Sequence, residues 1–355
     1  MTLAQHHDEL IATAAAIASP GKGLLAADES TGTIGKRFAS VEVENTEQNR
    51  RAYRSLLASA EGLGNYISGI ILYEETLFQD AMDGTPIVEQ VRRQDIVPGI
   101  KVDMGVQPLA GGLTGETWCT GLSGLRERAA RYYARGARFA KWRAVLRISS
   151  EGAPSPLAVR ENAWGLARYA RTVQEEGLVP IVEPEILMDG DHAITTTAQA
   201  QERVLREVYG ALAENGVLLE GSLLKPAMTT AGASHHERQT PQQVAVMTVR
   251  TLRRTVPAAM PGILFLSGGL GEEEASLYLD AINRAARRSP WHLGFSYGRA
   301  LQHSCLMKWG GRDVAAGQRA LLARARANSE ASLGAYQPGS QPSDDQSLFV
   351  AGYTY

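Results

Sequence analysis

The sequence predicts an α/β chain folded as a single (β/α)8 TIM barrel. Three observations carry this: eight short apolar runs, helical periodicity between them, and charged side chains at the ends of most runs. The runs cover residues 23–30, 66–76, 97–105, 139–146, 178–187, 218–228, 262–270 and 292–301. In a closed parallel barrel the C-terminal strand ends form the active face. The barrel is assigned to residues 1–333 and a flexible C-terminal tail to residues 334–355.

Leu3, Leu10, Ile11, Ala14 and Ile17 fall on one helical face, which predicts a packed N-terminal helix. No Lys or Arg precedes that apolar stretch, so it does not read as a signal peptide. Further helices are expected over 46–59, 125–134, 161–176, 202–215 and 272–287. Thr240-Pro241-Gln242-Gln243 combines an N-cap, a first-turn proline and a capping-box glutamine, opening a helix toward Arg254. Residues 334–346 are polar, rich in Gly, Pro and Ser, and read as mobile. The aromatics beyond them, Phe349, Tyr353 and Tyr355, suit either docking on the barrel surface or reaching the active site.

A hydrophobic fraction of 44% and a charged fraction of 21% describe an ordinary globular protein. The net charge of -2 argues against a general nucleic-acid or membrane-surface role. No run is long enough to span a bilayer. The two cysteines, Cys119 and Cys305, form no disulfide framework and fit a reducing compartment, so a cytoplasmic location is expected. Neither lies in a nucleophile motif. The seven histidines form no HExxH pattern, and Asp189-Gly190-Asp191-His192 reads as a turn. No metal and no cofactor is expected.

Lys225 closes an apolar run and is the first candidate nucleophile. Apolar surroundings and a nearby cation such as Lys141 favour the neutral amine that attacks a carbonyl. A salt-bridged strand-end lysine is the competing reading. Glu183 and Glu185 are two apart, so they share a strand face, and one raised pKa would leave a proton donor. They also suit neutralisation of Lys141 and Arg143, and both readings can hold together. Asp28 precedes Ser30 and Thr33, with Lys36 and Arg37 following, a pattern for an anion site or a simple helix cap. Ser267-Gly268-Gly269 and Gly298-Arg299 follow the seventh and eighth runs, where barrels recurrently bind phosphate. Two anion sites at one mouth imply a bisphosphorylated substrate.

PGKGLLAADESTGTIGKR (20–37), GIKVD (99–103), FAKWR (139–143), VPIVEPEIL (179–187), LLKP (223–226), FLSGG (265–269) and FSYGRALQ (295–302) occur in this order. On these segments the chain resembles class I fructose-bisphosphate aldolase along nearly its full length. The resemblance implies a metal-independent lyase of glycolysis and gluconeogenesis, commonly a homotetramer, acting on a sugar bisphosphate through a lysine Schiff base. It implies Lys225 as the Schiff-base lysine and Glu183 as general acid/base, with Glu185, Lys141 and Asp28 supporting. Asp28 would act at the C4 hydroxyl and Tyr355 in proton transfer at C3. Lys101, Arg143 and Arg37 would contact substrate. Ser267, Gly268, Gly298 and Arg299 would hold one phosphate, and Ser30 and Thr33 the other. Thr33 stands where the family usually has Ser, and Ala227 where many members have Asn. Two alternatives stand beside this reading: an aldolase preferring sedoheptulose 1,7-bisphosphate, and a non-catalytic scaffold of the same fold.

Overall fold

The computed structural model describes residues 3–344 and 346–353. In chain order the strands are β1 (Gly23–Ala27), β2 (Ile67–Leu72), β3 (Val97–Lys101), β4 (Val106–Pro108) and β5 (Thr117–Cys119). They continue with β6 (Phe139–Leu146), β7 (Val179–Ile186), β8 (Leu223–Leu224), β9 (Gly262–Phe265) and β10 (His292–Tyr297). All except β4 and β5 close into the predicted parallel barrel, in the order β1-β10-β9-β8-β7-β6-β3-β2. The pair β4 and β5 forms an antiparallel two-stranded sheet that the sequence reading placed in no element.

Alternation along the strands divides the barrel interior into two levels. Toward the N-terminal ends it is apolar: Leu24, Phe139, Ile181, Leu223 and Leu264 pack in one cluster with Leu10, Ala14 and Ile17 of the helix Leu3–Ile17. The expected N-terminal helix thus buries its apolar face against the strand starts. Gly99 is required there, because a Cβ would come within 2.2 Å of the Phe139 ring. Continuing inward-facing positions upward, Phe139 leads to Lys141 and Arg143, Ile181 to Glu183 and Glu185, and Leu223 to Lys225. A buried apolar floor therefore carries a buried charged layer.

Several predicted boundaries shift for local reasons. The run 218–228 contains a 3-10 turn, Leu219–Gly221, so the strand itself is only Leu223–Leu224. The runs 66–76 and 292–301 each enter helices, Glu74–Phe78 and Arg299–Trp309. The helix expected from 161 begins at Pro156, where Ser155 accepts from Ala158 N and Pro156 fills the first turn. The helix expected from 202 begins at Ile194. The predicted capping box at Thr240 and Gln243 is formed. A helix that the sequence reading did not assign, Val314–Ser332, turns Arg324, Asn328, Ser329 and Ser332 into the interior. Arg324 there donates to Glu272 O at 2.8 Å and approaches Glu273 at 3.6 Å.

Candidate active site

The charged layer contains Lys101, Lys141, Arg143 and Lys225 opposed by Asp28, Asp103, Glu183 and Glu185, and all eight are buried. Strand pairing sets the layout. Register places Lys101 beside Lys141 and Arg143 beside Glu183, while β7 carries Ile181 against Leu223 of β8. Lys225 follows β8 directly, with its amide donating to Val182 O at 2.8 Å. That backbone bond brings its amine to the mouth beside β7.

Lys225 Nζ lies 3.0 Å from Glu183 Oε1. Glu183 Oε2 lies 3.4 Å from Lys141 Nζ, which is 2.8 Å from Asp28 Oδ2 and 3.8 Å from Asp103 Oδ2. Arg143 Nε meets Glu185 Oε2 at 2.5 Å. Lys101 Nζ meets Asp103 Oδ1 at 2.6 Å and donates to Asp103 O at 2.7 Å. The neutralising reading of the glutamates fits this geometry: Glu185 pairs Arg143, while Glu183 bridges two amines.

Burial pushes the Asp28 carboxyl up, but Lys141, Lys225 and Lys101 pull it down further, to about 2. Burial likewise raises the Cys119 thiol, beyond the range of an active nucleophile, and pushes Cys305 up to about 12. The stretch Asp189–His192 bends at Gly190 and Asp191, and the Ser234 amide donates to Gly190 O at 2.9 Å.

A cleft of about 500 Å³, counting the part open to solvent, lies over this layer. Of the predicted residues, Asp28, Thr33, Arg37, Arg143, Glu183, Glu185, Lys225, Ser267, Gly268, Gly298 and Arg299 line it. The glycine-rich loop stands beside the lysine because Leu266 N donates to Pro226 O at 3.0 Å. Gly268 and Gly269 adopt positive φ of 59° and 102°, which L side chains rarely take. Gly298 precedes the helix Arg299–Trp309, so Arg299 enters the cleft from that helix's first turn.

Three predicted site residues stand apart from the lining. Lys101 is turned into its Asp103 pair, and Lys141 lies wholly beneath the lining. Ser30 caps the helix Thr31–Ala39, its hydroxyl accepting from Thr33 N at 3.4 Å. Tyr355 lies outside the described residues. Tyr353, which the sequence reading noted only as a tail aromatic, lines the cleft instead. Its ring lies 4.2 Å from the Arg299 guanidinium carbon, and its carbonyl accepts from Arg143 at 2.8 Å. Glu29 also lines the cleft and was not singled out. Its position next to Asp28 was the available signal.

The tail is packed rather than detached along the described part. Tyr336 is buried, its hydroxyl donating to Glu273 at 2.7 Å, and Gly352 N donates to Asp189 Oδ1 at 2.5 Å. Arg299 donates to Leu348 O. Surface docking thus describes the start of the tail, and approach to the cleft describes Tyr353.

The family model for class I fructose-bisphosphate aldolase matches residues 9–355. The chain belongs to that family. It is 56% identical to fructose-bisphosphate aldolase 2, chloroplastic, of Arabidopsis thaliana over 351 residues, 98% of this chain and 87% of the relative. It is 56% identical to the cytoplasmic aldolase isozyme of Spinacia oleracea over 354 residues, 99% of this chain and 98% of the relative. A solved fructose-bisphosphate aldolase from Plasmodium falciparum, in complex with TRAP and a small-molecule inhibitor, superposes with TM-score 0.93 at 53% identity. That match covers 95% of this chain and 97% of that one. Aldolases named for the chloroplast and for the cytosol thus stand equally near. Among the described residues no helix is long and apolar enough to cross a membrane.

Proposed function

We infer that this aldolase-family chain cleaves fructose 1,6-bisphosphate reversibly into dihydroxyacetone phosphate and glyceraldehyde 3-phosphate through a Schiff base on Lys225. The observation that carries this reading is the chain of contacts Lys225–Glu183–Lys141–Asp28 under an open cleft. The layer pairs four cations with four carboxylates. Moving one proton from Lys225 to Glu183 keeps that balance and creates both a nucleophilic amine and a proton donor.

Lys225 Nζ attacks the C2 carbonyl, forming a carbinolamine. Glu183 gives its proton to the C2 hydroxyl, which leaves as water, and the iminium forms. Asp28 accepts the proton of the C4 hydroxyl as the C3–C4 bond breaks, and the bond's electrons pass to the iminium to give a neutral enamine. The positive charge at Lys225 is one of the influences holding Asp28 acidic. Its loss as the enamine forms strengthens Asp28 as a base while it takes the proton. Glyceraldehyde 3-phosphate departs, C3 is protonated, and water releases dihydroxyacetone phosphate. Tyr355 is the proposed donor at C3.

The Ser267–Gly269 loop flanks Lys225, so with Arg299 it suits the phosphate on C1, next to the C2 carbonyl. Thr33 and Arg37 lie on the Asp28 side and suit the C6 phosphate, with Ser30 orienting Thr33. Lys101 supports Asp103 and Lys141 in this reading. Turnover should persist in excess EDTA, since the iminium formed on Lys225 supplies the electron sink; loss of activity restored by zinc would overturn that. A homotetramer, which the sequence resemblance implies, and a cytoplasmic location complete the proposal, the second supported by cytosolic relatives. Sedimentation and cell fractionation test them. Comparing rates on fructose 1,6-bisphosphate and sedoheptulose 1,7-bisphosphate tests the substrate.

A further inference from the structure

We propose that Glu29 is a positioning residue that presets Arg37 for the substrate's C6 phosphate. The inference rests on the reading of Arg37 as a contact of that phosphate. Glu29 follows Asp28, and its side chain is 4% exposed. Arg37 donates to its Oε1, which also accepts from Gln302 Nε2 at 3.0 Å. Arg54 NH1 lies 2.7 Å from Oε2, and Arg54 NH2 donates to the Glu29 carbonyl at 3.3 Å. The two arginines differ in setting: Arg54 is 4% exposed and Arg37 is 19% exposed and lines the cleft. A single carboxylate thus joins an interior guanidinium to one at the cleft wall.

Two consequences follow from that arrangement. One carboxylate between two guanidiniums leaves a net positive charge, and the guanidinium with access to ligand is Arg37. The carboxylate engages only part of the Arg37 fork and the Tyr353 side chain bonds another part, so an incoming anion meets donors that Glu29 does not hold. A long side chain fixed in advance does not surrender rotamer freedom when the phosphate arrives. Thr33 lies one helical turn before Arg37 and lines the same wall, so the two face one anion. The pair Arg54–Glu29 would satisfy the interior alone; the attachment of Arg37 is what links it to substrate.

The test compares KM for fructose 1,6-bisphosphate with KM for fructose 1-phosphate, which lacks the C6 phosphate. Glu29→Gln keeps the side-chain shape and removes the charge. It is expected to raise KM for the bisphosphate about tenfold, the scale of one lost charge-assisted hydrogen bond. KM for fructose 1-phosphate should stay in place. In the Arg37→Ala background the same change should add nothing, because Glu29 acts through Arg37. Glu29→Gln together with Arg54→Gln removes the interior charge with its partner, guards against a folding defect, and should show the same selective rise. An equal rise on both sugars, or a full further rise in the Arg37→Ala background, would overturn the proposal. If Arg37→Ala is selective for the bisphosphate and neither Glu29 variant is, this inference alone fails. If Arg37→Ala is not selective, the phosphate reading of Arg37 fails and this inference with it.

Discussion

Glu183 touches two of the three buried amines of the charged layer, with one oxygen 3.0 Å from Lys225 Nζ and the other 3.4 Å from Lys141 Nζ. A carboxyl so placed can exchange a proton with the nucleophile while a second cation limits the charge change. Glu183→Gln keeps the shape and removes the acid/base function. Its kcat is expected to fall on the order of 10² to 10⁴, the usual contribution of a positioned proton donor. Single-turnover kinetics should place the loss in Schiff-base formation. A variant with unchanged single-turnover rates contradicts the role.

Asp28 gives a prediction about stability. Its folded pKa is depressed, from 3.8 to about 2, so it stabilises the fold above its unfolded pKa and that contribution is lost as pH falls through the folded one. Asp28→Asn lacks the titration. The stability of the native protein relative to this variant should therefore decline by about 2 kcal/mol between roughly pH 4.5 and pH 1.5. Urea unfolding of both proteins across that window measures it. A constant difference would show that Lys141 does not hold Asp28 ionised.

Arg299 and the Ser267–Gly269 loop are proposed to hold one phosphate. Arg299→Ala should raise KM for the bisphosphate about tenfold or more, the scale of a lost charged contact, and far more than for a sugar lacking the C1 phosphate. Equal effects on both remove the phosphate role. Gly269→Ala should also weaken binding, because φ is 102° there and the new Cβ would stand 2.9 Å from Phe349 Cα. Isothermal titration with the bisphosphate reads both variants.

The barrel and the centre of the site were legible because strand-end charges interrupt otherwise apolar runs. Lys225, Glu183, Asp28 and Arg143 announce themselves by their cost of burial. Glu29 was harder, since its significance lies in contacts from distant residues, Arg54 and Gln302. The helix Val314–Ser332 was obscured because its buried face includes Arg324, Asn328 and Ser329, which periodicity reads as surface. The strands β4 and β5 are three residues each, too short to show alternation. Residues 334–346 looked too polar to pack, yet carboxylates of Glu272, Glu273 and Asp280 receive their backbone amides and a tyrosine hydroxyl.

The tail supplies a prediction that separates two chemical steps. Tyr353 approaches Arg143 and Arg299, and Tyr355 follows two residues on. Deleting Tyr355 should slow tritium exchange at C3 of dihydroxyacetone phosphate, while borohydride trapping of the Schiff base persists. Exchange at the native rate would rule out Tyr355 as the proton donor at C3.

Lys225 is proposed to carry the covalent intermediate. Borohydride reduction in the presence of dihydroxyacetone phosphate, followed by peptide mass mapping, tests it directly. The adduct should appear on the peptide containing Lys225, and Lys225→Met should abolish it. Label on Lys141 or Lys101 with Lys225 unmodified would contradict the account.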